Sequence, residues 1–310
     1  MSGDHADAKL AVVMVRQVLR DGPLWNSYLL RFRVDCGAIL ESVRERGVIE
    51  PVTLQSTDGG YLVISGFSRM EAARQTGIEA VNAVVYMNNA LTPKQAYLLA
   101  LSANAAATLS DADRATALAA GRDRFGLTEE DLKSAAVLIG LAPSLKVVRE
   151  YLAIASLPVV VLEALWKGAI SRQHASAILT VPEDKREWFF TKVVERLRLS
   201  ASETRVFAAS ALDISLRERI AFDDVLREAL DATGDAVAPA QQKAATRTAM
   251  ERRLRPVLTE MEDEFAALVE KAGFPPGTKV SHAGGFESDE VEISIKAPDE
   301  ASFAALAKAI

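Results

Sequence analysis

The chain from Thr92 onward carries a series of helix-start signals, and these constrain the fold more than any other feature. Thr92, Ser110 and Thr128 are hydroxyl residues that cap helix N-termini well, and each precedes a run of helix-forming residues. Gly140 and Pro158 interrupt the helical pattern between such runs. Short capped helices in series form a helical domain, so we predict an all-helical domain over residues 92–231. Its last two predicted helices span residues 183–197 and 201–211.

Residues 1–91 alternate strand and helix signals instead. The turn Asp58-Gly59-Gly60 predicts a hairpin between two of the strands, because glycine suits such tight turns. We therefore predict a small mixed α/β domain. Its elements are a weak edge strand at 11–18, a helix at 35–47 capped by Asp35, strands at 48–54 and 61–65, a helix at 70–75 and a strand at 81–87.

The last part of the chain begins with a Gly-, Pro- and Ala-containing linker candidate over residues 232–243. A helix at 244–271, strands at 279–282 and 290–296 around Gly284-Gly285, and a closing helix at 299–310 follow. A strand pair and helix of this size cannot bury their apolar faces alone. We predict a small ββα module over residues 244–310 that pairs with its copy or packs on the 244–271 helix, in a chain of the α+β class.

The charge is unevenly distributed along the chain. The 310 residues carry a net charge of −6, which by itself does not favour a nucleic-acid binder. Residues 121–200 hold 12 Lys/Arg against 10 Asp/Glu, whereas residues 201–310 hold 13 against 20. Because DNA binding requires positive groups to neutralise phosphates, any DNA contact is expected in the middle third.

The sequence contains no signal for membrane insertion, secretion, metal binding or catalysis. Its most apolar run, at 157–165, is too short to cross a bilayer and contains Glu163. A single cysteine, Cys36, fits a reducing compartment, and the three histidines have no metal-site spacing. No set of nucleophile and base can be picked out. We expect a cytoplasmic protein with no metal site, no catalytic residues and no membrane partner.

A strand that runs through a glycine into a helix marks the first candidate site, at Ser65, Gly66, Phe67, Ser68 and Arg69. Glycine lets a ligand approach the backbone, and the unpaired N–H groups of a helix start favour an anion. Arg69 adds a bidentate phosphate donor. Alternatively, Gly66 only turns the chain and Arg69 pairs with a neighbouring carboxylate, Glu71 or Asp58.

The second candidate site is the two-helix unit at residues 127–158. A helix, a short turn at 140–143 and a second helix match the spacing of a helix-turn-helix. Alternatively, the unit is an ordinary helical hairpin with a solvated charged face. The DNA-contact candidates are Ser144, Leu145, Lys146, Val147, Arg149 and Glu150 on the second helix, and Arg172 beyond it.

The order of these pieces resembles that of the ParB family of chromosome and plasmid partition proteins. Residues 40–52 resemble its "S-I-x-x-x-G-v-x-x-P-i" opening, and residues 66–73 its "G-E-R-R-x-R-A" phosphate motif. Residues 100–104 stand where the family has "A-L-x-E-N-x-Q-R". Residues 125–158 match its helix-turn-helix, residues 168–175 resemble "G-x-I-S-x-x-H-A", and residues 291–310 look like its dimerisation module.

The resemblance implies a ParB-like N-domain over 1–91, a helix-turn-helix DNA-binding domain over 92–231 and a dimerisation module over 244–310. It implies CTP with Mg²⁺, held by residues 65–69 and Asn104, and a homodimer that recognises double-stranded DNA and closes on it as a clamp. It also implies a Walker-type partition ATPase as partner and a weak CTPase activity.

Two motifs depart from the family pattern. Phe67 and Ser68 replace its Glu and first Arg, and Glu71 replaces its last Arg, which removes two positive charges and adds a negative one. Ala103, Ala106 and Ala107 replace the Glu, Gln and Arg around Asn104. Two alternatives therefore stand beside a DNA-binding partition factor. One is a protein-interaction adaptor on the same fold, and the other is a nucleotide-dependent enzyme on the N-terminal scaffold.

Overall fold

The computed structural model describes residues 8–20, 27–104, 109–231, 238–274, 278–282, 286 and 290–296. The predicted Gly284-Gly285 turn, the predicted closing helix at 299–310, and Ala106 and Ala107 lie outside these residues. The chain divides into two compact units, of which the first holds residues 1–195 and 199–205 and the second the remainder. The predicted α+β class and the predicted helical middle part of the chain are both confirmed.

A four-stranded sheet organises the first part of unit one. Its strands are β1 (Ala8–Met14), β2 (Val52–Thr57), β3 (Gly60–Ser65) and β4 (Ala80–Tyr86), in the order β1-β4-β2-β3. β4 runs antiparallel to β1 and parallel to β2. β2 and β3 form the predicted hairpin, in which Thr57 pairs with Gly60. The predicted edge strand is confirmed at the sheet edge, but it spans Ala8–Met14 instead of 11–18, because residues 15–17 form a 3-10 turn.

Two helices, α1 (Gly37–Arg46) and α2 (Phe67–Gln75), pack together through a small core of Cys36, Val43 and Ala72. The sequence predicted Asp35 as the N-cap of α1, but Cys36 occupies that position. Asp35 lies one residue earlier, and its carboxylate accepts the Gly37 N–H at 2.9 Å. The helix predicted over 70–75 begins three residues earlier, so Phe67, Ser68 and Arg69 form the first turn of α2.

β2 begins four residues later than predicted. The apolar run from Val48 suggested a strand over 48–54, yet the ladder starts at Val52 and continues to Thr57. Pro51 explains the shift, because proline has no N–H to donate to the neighbouring strand. The guanidinium of Arg69 instead holds the carbonyls of Glu50 and Pro51, at 3.0 and 2.9 Å.

The helical part of unit one confirms the predicted capping residues. Thr92, Ser110 and Thr128 each make a capping box with the side chain three residues later, at the starts of α3, α4 and α5. The helices are α3 (Pro93–Ala103), α4 (Asp111–Asp123), α5 (Glu129–Leu138), α6 (Leu145–Ile154), α7 (Val159–Trp166), α8 (Arg172–Ile178) and α9 (Arg186–Phe189). The helix predicted over 183–197 is broken, because 3-10 and π turns flank α9.

The long helices of the C-terminal half differ from the prediction in four places. α10 (Ala201–Glu218) runs seven residues beyond the predicted end, and α11 (Phe222–Asp231) was not predicted. α12 (Pro239–Leu254) starts inside the segment predicted as a linker. The single helix predicted over 244–271 is two helices, because α13 (Pro256–Ala272) starts at a proline, which cannot continue the preceding helix.

The described C-terminal strands, β5 (Thr278–His282) and β6 (Val291–Ile295), form an antiparallel pair. The ring of Phe265 on α13 lies edge-on to that of His282 on β5, with centroids 4.5 Å apart. Phe286 contacts both rings. The strand pair therefore packs on α13, which is one of the two arrangements predicted from the sequence.

Asp131 connects two helices of unit one, which makes the stability of this unit pH-dependent. Its carboxylate accepts from Lys94 on α3 at 2.7 Å and from the Thr128 N–H at 2.9 Å. The Lys94 contact first, and the Thr128 contacts second, hold the pKa of Asp131 at about 2, below the ordinary 3.8.

We predict that Asp131→Asn flattens the acid-induced loss of stability. The contacts that lower the pKa of Asp131 stabilise the folded protein fully above pH 3.8. This stabilisation is lost as the pH falls towards about 2. Urea unfolding at pH 5, 4 and 3 measures the effect. Glu130→Gln is the matched control, because its carboxylate is 81% exposed. An Asp131→Asn protein that loses as much stability as the wild type over this range contradicts the prediction.

Candidate functional site

The unit α5–turn–α6 has the local structure of a helix-turn-helix. α5 ends at Gly140, whose φ of 76° requires the left-handed conformation that glycine adopts without strain. α6 then buries one face through Val148, Tyr151 and Ile154, which are spaced three residues apart. The opposite face of α6 is thereby left for contact with another molecule.

The start of α6 carries most of the predicted DNA contacts. Ser144 is the N-cap residue, but its hydroxyl makes no capping bond within the described residues, unlike those of Thr92, Ser110 and Thr128. Leu145 and Val147 are half-buried, and Lys146 is exposed. Lys146 has no ion-pair partner among the residues that the structure describes. The N–H groups of this helix start and the Lys146 ammonium can both donate hydrogen bonds to a phosphate oxygen.

The other basic residues of the predicted DNA set are already paired with acids. Arg149 lies 2.9 Å from Glu129 on α5, and both side chains are more than 60% exposed. Such a surface pair is weak and is readily exchanged for a phosphate contact. Arg172 lies 3.1 Å from Glu150, in a less exposed position. Arg149 can thus contribute to an interface, while Arg172 and Glu150 connect α8 to α6.

A polar network fixes the position of α6. Glu150 accepts from Arg172 and from Ser176 of α8, both at 3.1 Å. The hydroxyl of the next residue, Tyr151, donates to Asp111 of α4 at 2.6 Å. Burial, followed by the nearby Asp111 carboxylate, raises the pKa of Tyr151. α6 is therefore held from two sides by charge-assisted hydrogen bonds.

Two further residues that support this network were not predicted from the sequence. Arg114 lies 3.2 Å from Asp111 and donates to the carbonyl of Ile139 at 3.1 Å, which closes the end of α5. His174 accepts the Ser171 N–H at Nδ1, at 3.1 Å, and caps α8. His174 was visible only as part of a motif, and Arg114 had no signal, because its partner is 25 residues away.

The Gly66 turn has the predicted backbone geometry. Gly66 has a φ of 100°, and a Cβ atom there would lie 2.9 Å from the Cγ1 of Val52. Only glycine therefore fits between β3 and α2. Ser65 is buried at the end of β3, and the Phe67 side chain is 8% exposed, so it points into the core. Ser68 is half-buried in the first turn of α2.

The polar side chains of the predicted nucleotide set make contacts within the chain. Arg69 is bonded to the backbone of Glu50 and Pro51, and its guanidinium lies 3.4 Å from the Glu50 carboxylate. The sequence had offered Glu71 or Asp58 as the acid partner instead. Asn104, at the C-terminal end of α3, donates its side-chain N–H to the carbonyl of Ala100 at 2.8 Å. No contact between Asn104 and the turn is recorded among the described residues.

Within the described part of the chain, no group of three His, Cys, Asp or Glu side chains is placed to hold a metal ion. Of the helices formed there, none has the length and apolar character needed to cross a membrane.

Two family models match adjacent parts of the chain. The ParB N-terminal domain matches residues 36–105, and the ParB HTH domain matches residues 107–211. The second match contains α5 and α6, and the first contains the Gly66 turn. Together they cover more than half of the chain.

The chain is similar in sequence to curated chromosome-partitioning and nucleoid occlusion proteins. The chain is 33% identical over 159 residues to the "Chromosome-partitioning protein Spo0J" of Thermus thermophilus, which is 51% of this chain and 56% of that protein. It is 23% identical over 261 residues to the "Nucleoid occlusion protein" of Halalkalibacterium halodurans, which is 84% and 80% of the two chains. The chain spans about half the length of the partitioning proteins it matches.

Solved structures of the C-terminally truncated Caulobacter crescentus ParB are more distant. The complex with the centromeric parS site is 20% identical, has a TM-score of 0.39 and covers 64% of this chain and 98% of that one. The complex with CTP-gamma-S is 23% identical, has a TM-score of 0.27 and covers 59% and 99%. Such scores are too low to support an argument about this chain.

We predict that Tyr151→Phe lowers the free energy of unfolding by about 1.5 kcal/mol, since it removes a hydrogen bond to a charged carboxylate. Urea unfolding at pH 7 measures the change. Tyr86→Phe is the matched control, because the Tyr86 hydroxyl has no hydrogen bond to any described residue. Equal stability of the two variants would contradict a role for the Asp111 contact in holding α6.

Proposed function

Because this chain belongs to the ParB family, we propose that it is a DNA-binding partition protein that works as a homodimer on double-stranded DNA. The exposed, uncapped start of α6 is the observation that carries this proposal. A helix-turn-helix places the first residues of its second helix in the major groove. The names of the relatives support the role in partition.

Ser144, Lys146 and Arg149 are the proposed phosphate and base contacts. Lys146 is exposed and Arg149 is held only by a surface ion pair, so both can turn towards DNA. Leu145 and Val147, both half-buried, are proposed to make apolar contacts at the groove. Glu150 and Arg172 belong to the network that positions α6, and we propose that they act on DNA binding through that position.

A homodimer through the C-terminal module is supported by exposed apolar side chains in unit two. On α13, Val257, Met261 and Leu268 are 69%, 38% and 65% exposed and lie along one side of the helix. On β6, Val291 and Ile293 are 45% and 48% exposed and share a strand face. Exposed apolar side chains that share one side of a helix or one face of a strand support association through this module.

CTP with Mg²⁺ is the nucleotide that the resemblance predicts, and the Gly66 turn is where it would bind. The donors present there do not fit a triphosphate. Arg69 is the one basic side chain of the first turn of α2, and it is bonded to two carbonyls and a carboxylate. The proposed function therefore includes no nucleotide step. A Walker-type ATPase partner and a cytoplasmic location stay predictions.

We predict that Lys146→Ala weakens DNA binding roughly tenfold and lowers the slope of log K against log salt by about 2 per dimer, one phosphate contact per protomer. Fluorescence anisotropy with DNA selected from a random duplex pool measures both quantities. Lys271→Ala, an exposed lysine on α13, is the matched control. Wild-type protein that binds no duplex at low salt would contradict the proposed function and favour the adaptor alternative.

We predict that Leu268→Glu weakens the dimer at least tenfold, because it places a charge in an apolar contact surface. Sedimentation equilibrium measures the dissociation constant. Glu262→Lys, an exposed polar position on the same helix, is the control and should leave it unchanged. A dimer of unaltered strength in the Leu268→Glu protein would rule out this surface.

A further inference from the structure

We infer that the Gly66 turn is a structural clasp closed by Arg69 and has no nucleotide site, so that DNA binding by this chain is independent of CTP. The part of this inference that concerns DNA rests on the proposed function. The part that concerns the turn depends only on contacts within the first unit of the chain.

The first step is the use of the Arg69 guanidinium. Its Nη1 donates to the Glu50 carbonyl at 3.0 Å and to the Pro51 carbonyl at 2.9 Å, and the same atom lies 3.4 Å from the Glu50 carboxylate. These carbonyls stand directly before β2, where Pro51 prevents ladder formation. Arg69 thus supplies the donor that joins the entry of β2 to the first turn of α2. A phosphate that approached Nη1 would have to compete with these two carbonyls.

The second step is the charge of the surrounding residues. Glu71, in the same helix turn, is bonded to Gln75 at 3.0 Å and lies 3.9 Å from Arg74. The pKa of the Cys36 thiol, at the start of the neighbouring helix, is raised first by burial and second by the negative charge of Glu71. Glu50 adds a second carboxylate beside Arg69. Arg69 thus lies beside the Glu50 carboxylate and Arg74 near the Glu71 carboxylate, so the turn lacks the excess of positive charge that a triphosphate would require.

The third step concerns the remaining side chains of the turn. Phe67 is 8% exposed in the core and cannot face a ligand in the solvent. Ser68 offers a neutral hydroxyl, which is a weaker phosphate donor than a charged group. The side-chain N–H of Asn104 is bonded to its own helix. The one basic side chain of the set is therefore Arg69, whose Nη1 is already bonded to the carbonyls of Glu50 and Pro51.

The chain can therefore keep its N-domain closed with its own groups. No nucleotide is needed to join the entry of β2 to α2, because Arg69 already donates to the carbonyls before β2. The expected consequence is DNA binding of equal strength with and without CTP.

The test is isothermal titration of the full chain with CTP, ATP and GTP in the presence of Mg²⁺. We expect dissociation constants weaker than about 1 mM for all three, a binding free energy smaller in size than about 4 kcal/mol. We also expect 1 mM CTP to change the DNA affinity less than twofold. A CTP dissociation constant below 1 mM, or a larger change in DNA affinity, overturns the inference.

A gain-of-function variant tests the electrostatic cause. Ser68→Arg with Glu71→Arg restores positive charge to the turn and should tighten CTP binding at least tenfold. Ser202→Arg with Glu195→Arg makes the same change of charge at exposed positions elsewhere and should not. If the double variant fails to fold, Glu71→Gln, which removes one negative charge, takes its place. No tightening by the folded variant overturns the electrostatic account.

The structural role of Arg69 can be measured separately, through the melting temperature. Arg69→Ala should lower the melting temperature of the wild-type protein and leave its nucleotide titration unchanged, whereas Arg69→Lys should restore part of the stability. Loss of a measurable CTP signal in Arg69→Ala would overturn the inference. Because titrations and melting use no DNA, absence of DNA binding would count against the proposed function alone.

Discussion

The buried carboxylate of Asp113 is the interaction on which the first unit of the chain depends. Its side chain is 1% exposed, and burying a carboxylate is costly unless each oxygen is hydrogen-bonded. One oxygen accepts the Ser110 N–H at 2.9 Å and so caps α4, and the other accepts the Phe32 N–H at 2.7 Å. The segment before α1 is thereby fixed to the helix that also supports α6. Stacking of Tyr28 on Phe125 strengthens the same connection.

The helix α4, which Asp113 fixes in this way, in turn positions α6. Asp111, two residues before Asp113, accepts from Tyr151 of α6 and from Arg114, whose guanidinium closes the end of α5. Glu150 holds the other side of α6 through Arg172. Both helices of the helix-turn-helix are thus oriented by buried or half-buried polar groups, while the exposed start of α6 carries no such constraint. This division would allow the proposed DNA-contact residues to change without loss of the scaffold.

Local signals in the sequence predicted local structure well. The capping boxes at Thr92, Ser110 and Thr128 depend on residues three positions apart, so their helices could be predicted. α11 carries a local signal as well, since its buried residues Phe222, Val225, Leu226 and Ala229 have helical spacing. The late start of β2 could not be predicted, because it depends on Pro51 together with Arg69, which is 18 residues distant.

The site residues show the same limit. The Arg149–Glu129 and Arg172–Glu150 pairs join residues 20 and 22 positions apart, and only the fold reveals that the basic residues have acid partners. Asn104 could be located from a motif, but its bond to Ala100 could not. Motif matching identifies the residues, whereas their chemistry depends on tertiary contacts.

The Gly66 turn shows why family membership and ligand chemistry separate. Its backbone is determined by sterics, since any Cβ at residue 66 would collide with Val52, and this constraint persists whatever the ligand. Its electrostatics are determined by a few surface side chains, and single substitutions such as Glu71 for arginine reverse a charge at no cost to the core. The strand–glycine–helix turn is thus determined by packing, and Arg69 stabilises it through its bonds to the carbonyls before β2.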